Sequence, residues 1–250
     1  MTAGGNRTDR HTARPPRPPE ETQALRELAA AGARQLGWDA PAGEVVAWVR
    51  ENFAVRDAAV ACSMADLVLP HLVARQLPGV DVLFLETGYH FTETLAARDE
   101  AARSLDVTVV DVLPEQTVAE QDQAHGPELF ARDPGLCCRL RKMDPLRKAL
   151  ANYRVWFTGV RRDEAPTRTN TPLVAWDEAH GLVKVNPVAP WSFDELTGYA
   201  SRHAVPLNLL LQQGYPSIGC RPCTRPVAPG GDPRAGRWAG LAKTECGIHT

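Results

Sequence analysis

The sequence predicts an α/β protein whose parallel sheet is covered by helices on both faces. Short, continuously apolar runs alternate with amphipathic runs between residues 58 and 159, as in strands joined by crossover helices. The chain has 250 residues, of which 44% are hydrophobic and 23% charged. That composition is typical of a globular protein with room for a full core.

The two ends of the chain differ in composition from its middle. Residues 1–19 contain four Pro and four Arg but no Leu, Ile, Val or aromatic residue, so we expect a disordered leader there. Residues 20–211 are expected to form the α/β domain. Residues 212–250 form a separate tail, rich in Gly, Pro, Arg and Cys. No apolar run suits a secretory signal or a membrane span.

Two helices are predicted before the first strand. The first begins at Glu20, has apolar residues at helical spacing up to Leu36, and ends at Gly37. Gly32 lies inside it and should weaken it. The second helix is predicted over Gly43–Phe53.

The alternating region predicts the strands of the sheet. They are Ala58–Cys62, Asp81–Leu85, Val107–Val110 and Val155–Gly159. Helices over Ala65–Gln76 and Thr92–Ser104 follow the first two strands. Pro70 should kink or shift the former, because proline removes a helical hydrogen bond.

An edge hairpin and one more helix complete the predicted domain. Leu173–Trp176 and Leu182–Val185 are the predicted hairpin strands. Ser192–His203 is the predicted helix, with Ser192 as N-cap and Glu195 three residues later.

Six cysteines are too few for a disulfide scaffold, but four of them form two close pairs. Cys137 and Cys138 are adjacent, and Cys220 and Cys223 form a Cys-x-x-Cys pair. Four thiolates can hold an iron–sulfur cluster or a structural zinc ion. Adjacent cysteines reach two iron corners of a cluster more easily than one tetrahedral zinc, which favours iron–sulfur. The alternative is two core cysteines and a redox or incidental pair.

The other two cysteines receive different interpretations. Cys246, near the end of the chain, has Lys243 and His249 close in sequence. Cations lower a thiol pKa and favour the nucleophilic thiolate, although a terminal cysteine without function is an equal alternative. Cys62 is interpreted as a small apolar residue of the first strand.

Residues of the types that bind anions occur in the segments that follow the predicted strands. Ligands bind at the carboxyl ends of strands in doubly wound sheets, and arginine and glycine suit phosphate or sulfate oxygens. For any one segment, a solvated surface is the alternative. The candidate residues are Ser63, Thr87, Gly88, Gly159, Arg161, Arg162 and Arg168, with Lys142, Arg234 and Arg237 near the cysteines.

Taken together, these segments resemble the thioredoxin-dependent assimilatory adenylyl-sulfate reductases, a branch of the phosphoadenylyl-sulfate/adenylyl-sulfate reductase family. The resemblance runs from Ala58 to His249. It is carried by Ala61-Cys62-Ser63-Met64-Ala65-Asp66, Leu85-Glu86-Thr87-Gly88-Tyr89-His90, Cys137-Cys138-Arg139-Leu140-Arg141-Lys142, Thr158-Gly159-Val160-Arg161-Arg162, Gly214-Tyr215-Pro216-Ser217-Ile218-Gly219-Cys220-Arg221-Pro222-Cys223-Thr224, Arg234-Ala235-Gly236-Arg237-Trp238 and Lys243-Thr244-Glu245-Cys246-Gly247-Ile248-His249. The first segment departs from the family's usual Ser- and Gly-containing phosphate loop.

The resemblance implies a Rossmann-like adenine nucleotide alpha hydrolase fold with a mobile C-terminal tail. It implies reduction of adenylyl sulfate to sulfite and AMP, with Cys246 as nucleophile and thioredoxin as electron donor. Lys142 and His249 would assist Cys246, and the anion-binding candidates above would hold the substrate. One 4Fe–4S cluster would be held by Cys137, Cys138, Cys220 and Cys223.

Three alternatives stay open from the sequence. Phosphoadenylyl sulfate is the alternative substrate. An iron–sulfur tRNA-thiolation ATP pyrophosphatase would need a Ser-Gly-Gly-x-Asp-Ser type loop, whereas the chain has Cys62-Ser63-Met64-Ala65-Asp66. A zinc-ribbon interaction module is the non-enzymatic alternative.

The expected surroundings of the protein follow from charge and cysteine usage. A net charge of −2 argues against a nucleic-acid partner. Paired cysteines and an oxygen-sensitive cofactor point to the reducing cytoplasm, and a homo-oligomer is compatible with the sequence.

Overall fold

A six-stranded sheet forms the centre of the computed structural model, which describes residues 17–240 and 243–248. The strand order is β3-β2-β1-β4-β6-β5. All neighbouring pairs are parallel except β5 and β6, which form the predicted antiparallel hairpin at one edge. The strands are β1 (Ala58–Ala61), β2 (Val80–Leu85), β3 (Val107–Val112), β4 (Val155–Thr158), β5 (Val174–Asp177) and β6 (Leu182–Val185).

Helices pack against both faces of this sheet, which confirms the predicted fold class. Two buried clusters, one on each side, contain Phe157 and Trp156 of β4 respectively. These neighbours point to opposite faces because strand side chains alternate. The described helices are α1 (Pro19–Leu36), α2 (Ala42–Asn52), α3 (Val68–Ala74), α4 (Thr92–Ser104), α5 (Val118–His125), α6 (Leu129–Arg132), α7 (Pro134–Cys138), α8 (Asp144–Leu150) and α9 (Phe193–His203).

The first helix begins slightly earlier than the sequence predicts. α1 begins at Pro19, inside the leader expected over residues 1–19, because the fixed φ of proline suits the first position of a helix. Arg17 donates hydrogen bonds to the backbone carbonyls of Gly181 and Tyr153, so the chain contacts the domain before the helix begins. The remainder of the predicted leader, residues 1–16, lies outside the described residues.

Pro70 does not kink α3, but the helix is shifted and begins later than predicted, which was the other expected effect of this proline. The helix over Ala65–Gln76 is observed only over Val68–Ala74, which places Pro70 in its first turn. Amide groups of the first turn have no partner inside the helix, so the missing N–H of Pro70 costs nothing there. The preceding residues form a loop at the end of β1 in which Met64 has a positive φ of 59°.

Residues 118–150 contain helices that the sequence analysis did not predict. α5 begins with a capping box in which Thr117 and Glu120 exchange hydrogen bonds. α7 is continued by a short π-helical segment, Arg139–Met143, which leads into α8. This run of helices places Cys137 and Cys138 one turn before Lys142.

The order of the strands in the sheet changes side at β1. β2 and β3 lie on one side of β1, whereas β4, β6 and β5 lie on the other. β1 pairs with β2 on one side and with β4 on the other, so the loops that leave β1 and β4 diverge. A crevice opens outside the carboxyl ends of strands at such a point.

Candidate active site

A cavity lies at the carboxyl ends of β1, β2 and β4, next to the point where the strand order changes side. Cys62 and Ser63 line it after β1, Leu85 at the end of β2, and Gly159 and Arg161 after β4. The structure therefore has a cavity where the sequence predicts a ligand site, at the carboxyl ends of the strands. Its lining combines backbone turns with charged side chains, as anion sites require.

Five cations line this cavity. Three of them are paired with carboxylates at the cavity. Arg161 lies 3.1 Å from Asp163 and 3.4 Å from Glu164, Arg168 also contacts Glu164, and Arg234 lies 3.1 Å from Glu245. Such a set suits a ligand that carries more than one negative charge. The cations are Lys142, Arg161, Arg168, Arg234 and Arg237.

The end of the chain folds over the same cavity. Cys246 and Ile248 line it, and Gly247 between them has a φ of +88°. A Cβ atom on Gly247 would lie 2.8 Å from the sulfur of Met143, so the tail packs closely on the π-helical segment. The candidate nucleophile and the cations therefore share one cavity.

A second, smaller cavity beside the first is lined by all four paired cysteines: Cys137, Cys138, Cys220 and Cys223. α7 supplies the first two, and a short 3₁₀ turn, Arg221–Cys223, holds the second pair. The two cysteine pairs, far apart in sequence, therefore line the same cavity. No group of three or more His, Cys, Asp or Glu able to hold a metal ion is found within residues 17–240 and 243–248.

Burial and mutual repulsion disfavour the charged form of most thiols in this cavity. Burial, together with the neighbouring cysteines, raises the pKa of Cys137 to about 12. Burial and Cys220 likewise raise the pKa of Cys223 to about 11. Like charges in a buried space destabilise one another, so four thiolates there need a positive centre. A cluster with four separate irons takes one thiolate at each iron and does not require all ligands to meet at one ion.

Lys142 joins the two cavities, since its side chain lines both. Burial lowers its pKa, but Cys220 and Cys246 more than compensate and raise it to about 12. In return, Lys142 and a contact of 3.4 Å with Thr87 lower the pKa of Cys220 despite its burial. A protonated Lys142 thus lies near both the candidate ligands and the candidate nucleophile.

Two buried donors near the cavities have no hydrogen-bond partner among the described residues. They are Nε of Arg237 and Nε1 of Trp238, and Trp238 lines both cavities. An unpaired buried donor costs about 1–3 kcal/mol. Acceptor atoms of a bound group, such as sulfide or oxyanion oxygens, would remove that cost, and this chemistry fits both the cluster and the substrate that the sequence predicts.

Four predicted site residues are not placed at the substrate cavity in the described part of the chain. Arg162 points away: it stacks on Trp38 at 3.6 Å and donates 2.7 Å hydrogen bonds to Asp39 and to the Trp38 carbonyl. Thr87 and Gly88 lie instead beside Cys220 and Arg141 respectively. His249 lies outside the described residues.

Sequence reasoning missed other residues of the site. Cys62 lines the cavity instead of serving only as core, and its sulfur accepts a hydrogen bond from the Met64 amide at 3.4 Å. Buried Arg141 donates to the Thr87 carbonyl and to Gln121. Glu245 contacts two of the cavity arginines. Cys62, Arg141 and Glu245 all occur in the segments that carry the family resemblance, which was the available signal.

No helix among the described residues has the length and apolar character needed to cross a membrane.

Comparison with known proteins gives consistent results. Residues 57–226 match the family described as "Phosphoadenosine phosphosulfate reductase domain". A relative from Mycolicibacterium smegmatis, named adenosine 5'-phosphosulfate reductase, is 56% identical over 90% of this chain and 94% of its own length. A relative of the same name from Streptomyces coelicolor is 54% identical over 91% of this chain and 96% of its own length.

A solved structure supports the fold. The phosphoadenylyl-sulfate reductase from Candida auris, in a phosphate complex, superposes with a TM-score of 0.63 over 84% of this chain and 98% of that one. At 24% sequence identity, this likeness concerns the architecture alone.

Proposed function

The chain belongs to the phosphoadenosine phosphosulfate reductase family, and from that premise we propose that it reduces adenylyl sulfate to sulfite and AMP. The observation that carries this proposal is that Cys246 lines the same cavity as five cations, at the carboxyl ends of the parallel strands. Relatives more than half identical in sequence are named for the same substrate.

In the first step, the Cys246 thiolate attacks the sulfur atom of adenylyl sulfate. A new S–S bond forms between Cys246 and the sulfonyl group, the bond from sulfur to the bridging oxygen breaks, and AMP leaves with the electron pair. The product is a Cys246 S-sulfonate. Arg161, Arg168 and Lys142 hold the negative charge of the phosphate and sulfonyl oxygens in a partly closed cavity, where such stabilisation is strongest.

In the second step, a dithiol protein of the thioredoxin type releases sulfite. One of its thiolates attacks the Cys246 sulfur, sulfite leaves with the electron pair of the S–S bond, and a mixed disulfide forms. The second thiol then displaces Cys246, and the donor becomes a disulfide. The dithiol supplies both electrons, so no other reductant is required.

The four thiols of the smaller cavity are proposed to hold one 4Fe–4S cluster. Their crowding, their burial and the neighbouring unpaired donors support this assignment. When bound, the cluster would supply a fixed electrostatic and structural centre. Lys142 would remain protonated between the cluster ligands and Cys246.

Intact-mass spectrometry tests the first step directly. The protein is incubated anaerobically with adenylyl sulfate and no dithiol donor, and the mass is measured together with AMP release. We expect one sulfonate adduct on Cys246 and about one equivalent of AMP, because the first step is stoichiometric without a reductant. Cys246→Ser should show neither product. Failure of the wild-type protein to release AMP would refute the proposed function.

Two further measurements test the finer assignments. An absorbance band at about 400 nm, from thiolate–iron charge transfer, would support the cluster, whereas a colourless zinc-loaded protein would contradict it. Turnover on adenylyl sulfate and on phosphoadenylyl sulfate, each with thioredoxin, decides between the two substrates. We expect adenylyl sulfate to be preferred. Equal or greater turnover of the 3'-phosphorylated form would overturn that expectation.

A further inference from the structure

Glu245, the residue before Cys246, fills the outer fork of Arg168. Arg168 Nε donates to Glu245 Oε1 at 3.0 Å, and Arg168 Nη2 donates to Glu245 Oε2 at 2.9 Å. The third guanidinium nitrogen of Arg168 is bonded to Glu164. Each nitrogen of this arginine therefore has a carboxylate partner before any ligand enters the cavity.

Two more contacts hold the same carboxylate. Thr167 donates its hydroxyl to Glu245 Oε1 at 3.1 Å. Arg234 Nη2 lies 3.1 Å from Glu245 Oε2 and also donates to the Thr244 carbonyl at 2.7 Å. The side chains of Arg168, Arg234 and Glu245 are only 13–15% exposed. Burial reduces the screening of these contacts by water, and the paired hydrogen bonds between Arg168 and Glu245 give the arrangement a defined geometry.

The carboxylate is charged at neutral pH. Burial raises the pKa of Glu245, but the hydrogen bond and charge of Arg168 outweigh that effect and hold the pKa below its ordinary value. Glu245 thus presents to the arginines a planar pair of anionic oxygens. Phosphate and sulfate present the same kind of surface to a guanidinium fork.

These contacts have a consequence for ligand binding. Arg168 and Arg234 line the cavity proposed to take adenylyl sulfate, yet the fork of Arg168 is already occupied. A ligand oxyanion can take that fork only if Glu245 leaves it. Because Glu245 is bonded to Cys246 through one peptide link, its departure frees the nucleophile segment at the same time.

We propose that Glu245 is an internal stand-in for the substrate anion, which holds the nucleophile segment over the cavity until the substrate's oxyanion takes its place on Arg168 and Arg234. Glu245 is a positioning residue: it acts through the arginines and through Cys246. This inference rests on the proposed function for the identity of the incoming anion, but not for the contacts themselves.

Glu245→Gln tests the proposal by two readouts that do not need turnover. The first is the rate of Cys246 alkylation by iodoacetamide without ligand, followed by peptide mass spectrometry. The second is the Kd of adenylyl sulfate, measured by calorimetry in a Cys246→Ser background with and without Glu245→Gln. The neutral amide binds the arginines less strongly, so we expect alkylation to become about three to ten times faster and Kd to fall by a similar factor.

Three other variants define the specificity of the effect. Glu178→Gln removes a carboxylate of an exposed pair with Arg26, and should change neither readout. Glu164→Gln removes the other carboxylate of Arg168 but leaves the tail contact, so it should not accelerate alkylation. Thr167→Val weakens the hold on Glu245 without changing charge, and should accelerate alkylation by a smaller factor. It also provides a test should Glu245→Gln fold poorly.

The outcomes separate the two proposals. If the wild-type protein releases AMP from adenylyl sulfate but Glu245→Gln and Glu178→Gln show equal alkylation rates and equal Kd values, the stand-in role is refuted and the proposed function survives. If the Kd rises in Glu245→Gln, Glu245 assists binding instead of competing, and the stand-in role is again refuted. If the wild-type protein releases no AMP, the proposed function fails, and faster alkylation would still support the tail contact.

Discussion

At the scale of single residues, the site is organised around side chains that line both cavities, namely Lys142, Cys220 and Trp238. Lys142 connects the paired cysteines with Cys246, and the neighbouring thiols raise its pKa to about 12. An ammonium group in that position can stabilise negative charge on either side. Its removal should therefore affect the reaction more than the fold.

Lys142→Ala is predicted to lower the rate of AMP release from adenylyl sulfate by about 10²-fold, as expected for loss of one preorganised charge in an active site. Stopped or quenched single-turnover assays would measure this rate. The matched control is Lys148→Ala, which removes an exposed lysine paired with Glu115 and should react at the wild-type rate. Wild-type kinetics in Lys142→Ala would contradict the assignment.

Two adjacent arginines, Arg161 and Arg162, show why residue type alone could not predict which side chains enter the cavity. Arg161 and Arg162 have the same chemistry, and both were expected to bind substrate. The backbone at Arg161 is extended, so consecutive side chains point to opposite sides. Arg161 reaches the cavity, whereas Arg162 stacks on Trp38. That the two cysteine pairs lie close together could be predicted, because four thiols in two close pairs suit one metal centre. The partner of each arginine, in contrast, depends on the folded backbone.

At the scale of elements, the contact between α1 and α2 depends on a glycine. Gly32 was expected to weaken α1, but a Cβ atom there would lie 2.4 Å from the ring of Trp48 on α2. Gly32 thus allows the tryptophan of one helix to pack against the backbone of the other. Gly198, in the middle of α9, would meet only the end of the Arg202 side chain, at 3.3 Å.

These two glycines lead to opposite predictions for the same substitution. Gly32→Ala should lower the free energy of unfolding by about 1–3 kcal/mol through overpacking. Gly198→Ala should raise it by about 0.5–1 kcal/mol through helix propensity and loss of unfolded-state entropy. Urea denaturation of both variants would measure the difference. A gain of stability in Gly32→Ala would show that the Trp48 contact does not limit this position.

The boundaries of elements were predictable where a local signal marks them. α4 was predicted with its observed ends, and Ser192 caps α9 through the predicted exchange with Glu195. α5 through α8 were missed, because they are short and their apolar residues show little periodicity. Their position depends on packing around the paired cysteines, and propensity alone does not determine such segments.

At the scale of the whole molecule, the parallel sheet and its ligand-binding edge were predictable from the alternation of apolar and amphipathic runs. Burial of apolar surface is non-directional, so the pattern of apolar runs indicates the sheet whichever apolar residues form the runs. The closure of the tail over the cavity was not predictable from composition. It depends on specific contacts of Glu245 and Gly247 with distant residues.

The global stability should decrease as the solution becomes mildly acidic, through His71 on α3. Burial lowers the pKa of His71 below 6.5, and His203 and Arg75 lower it further. Its ring nitrogen lies 3.0 Å from the Tyr199 hydroxyl on α9. The unfolded chain then binds the proton more readily, so stability is lost as the pH falls through 6.5 toward the lower folded pKa.

His71→Gln is the variant that tests this pH dependence. The free energy of unfolding of the wild-type protein should fall between pH 7.5 and pH 5.5, and the decrease should be smaller in the variant. Urea denaturation at both pH values measures the two differences. An identical decrease in both proteins would assign the pH dependence to other groups.

The shared cavity of the four paired thiols has a consequence for biosynthesis. α7 carries one pair, while the other pair follows β4, β5, β6 and α9 along the chain. A nascent polypeptide therefore exposes Cys137 and Cys138 to the cell well before Cys220 leaves the ribosome. The four-thiol set can therefore form only after Cys223 has been synthesised, and a product that terminates between Cys138 and Cys220 retains half of the set and lacks Cys246.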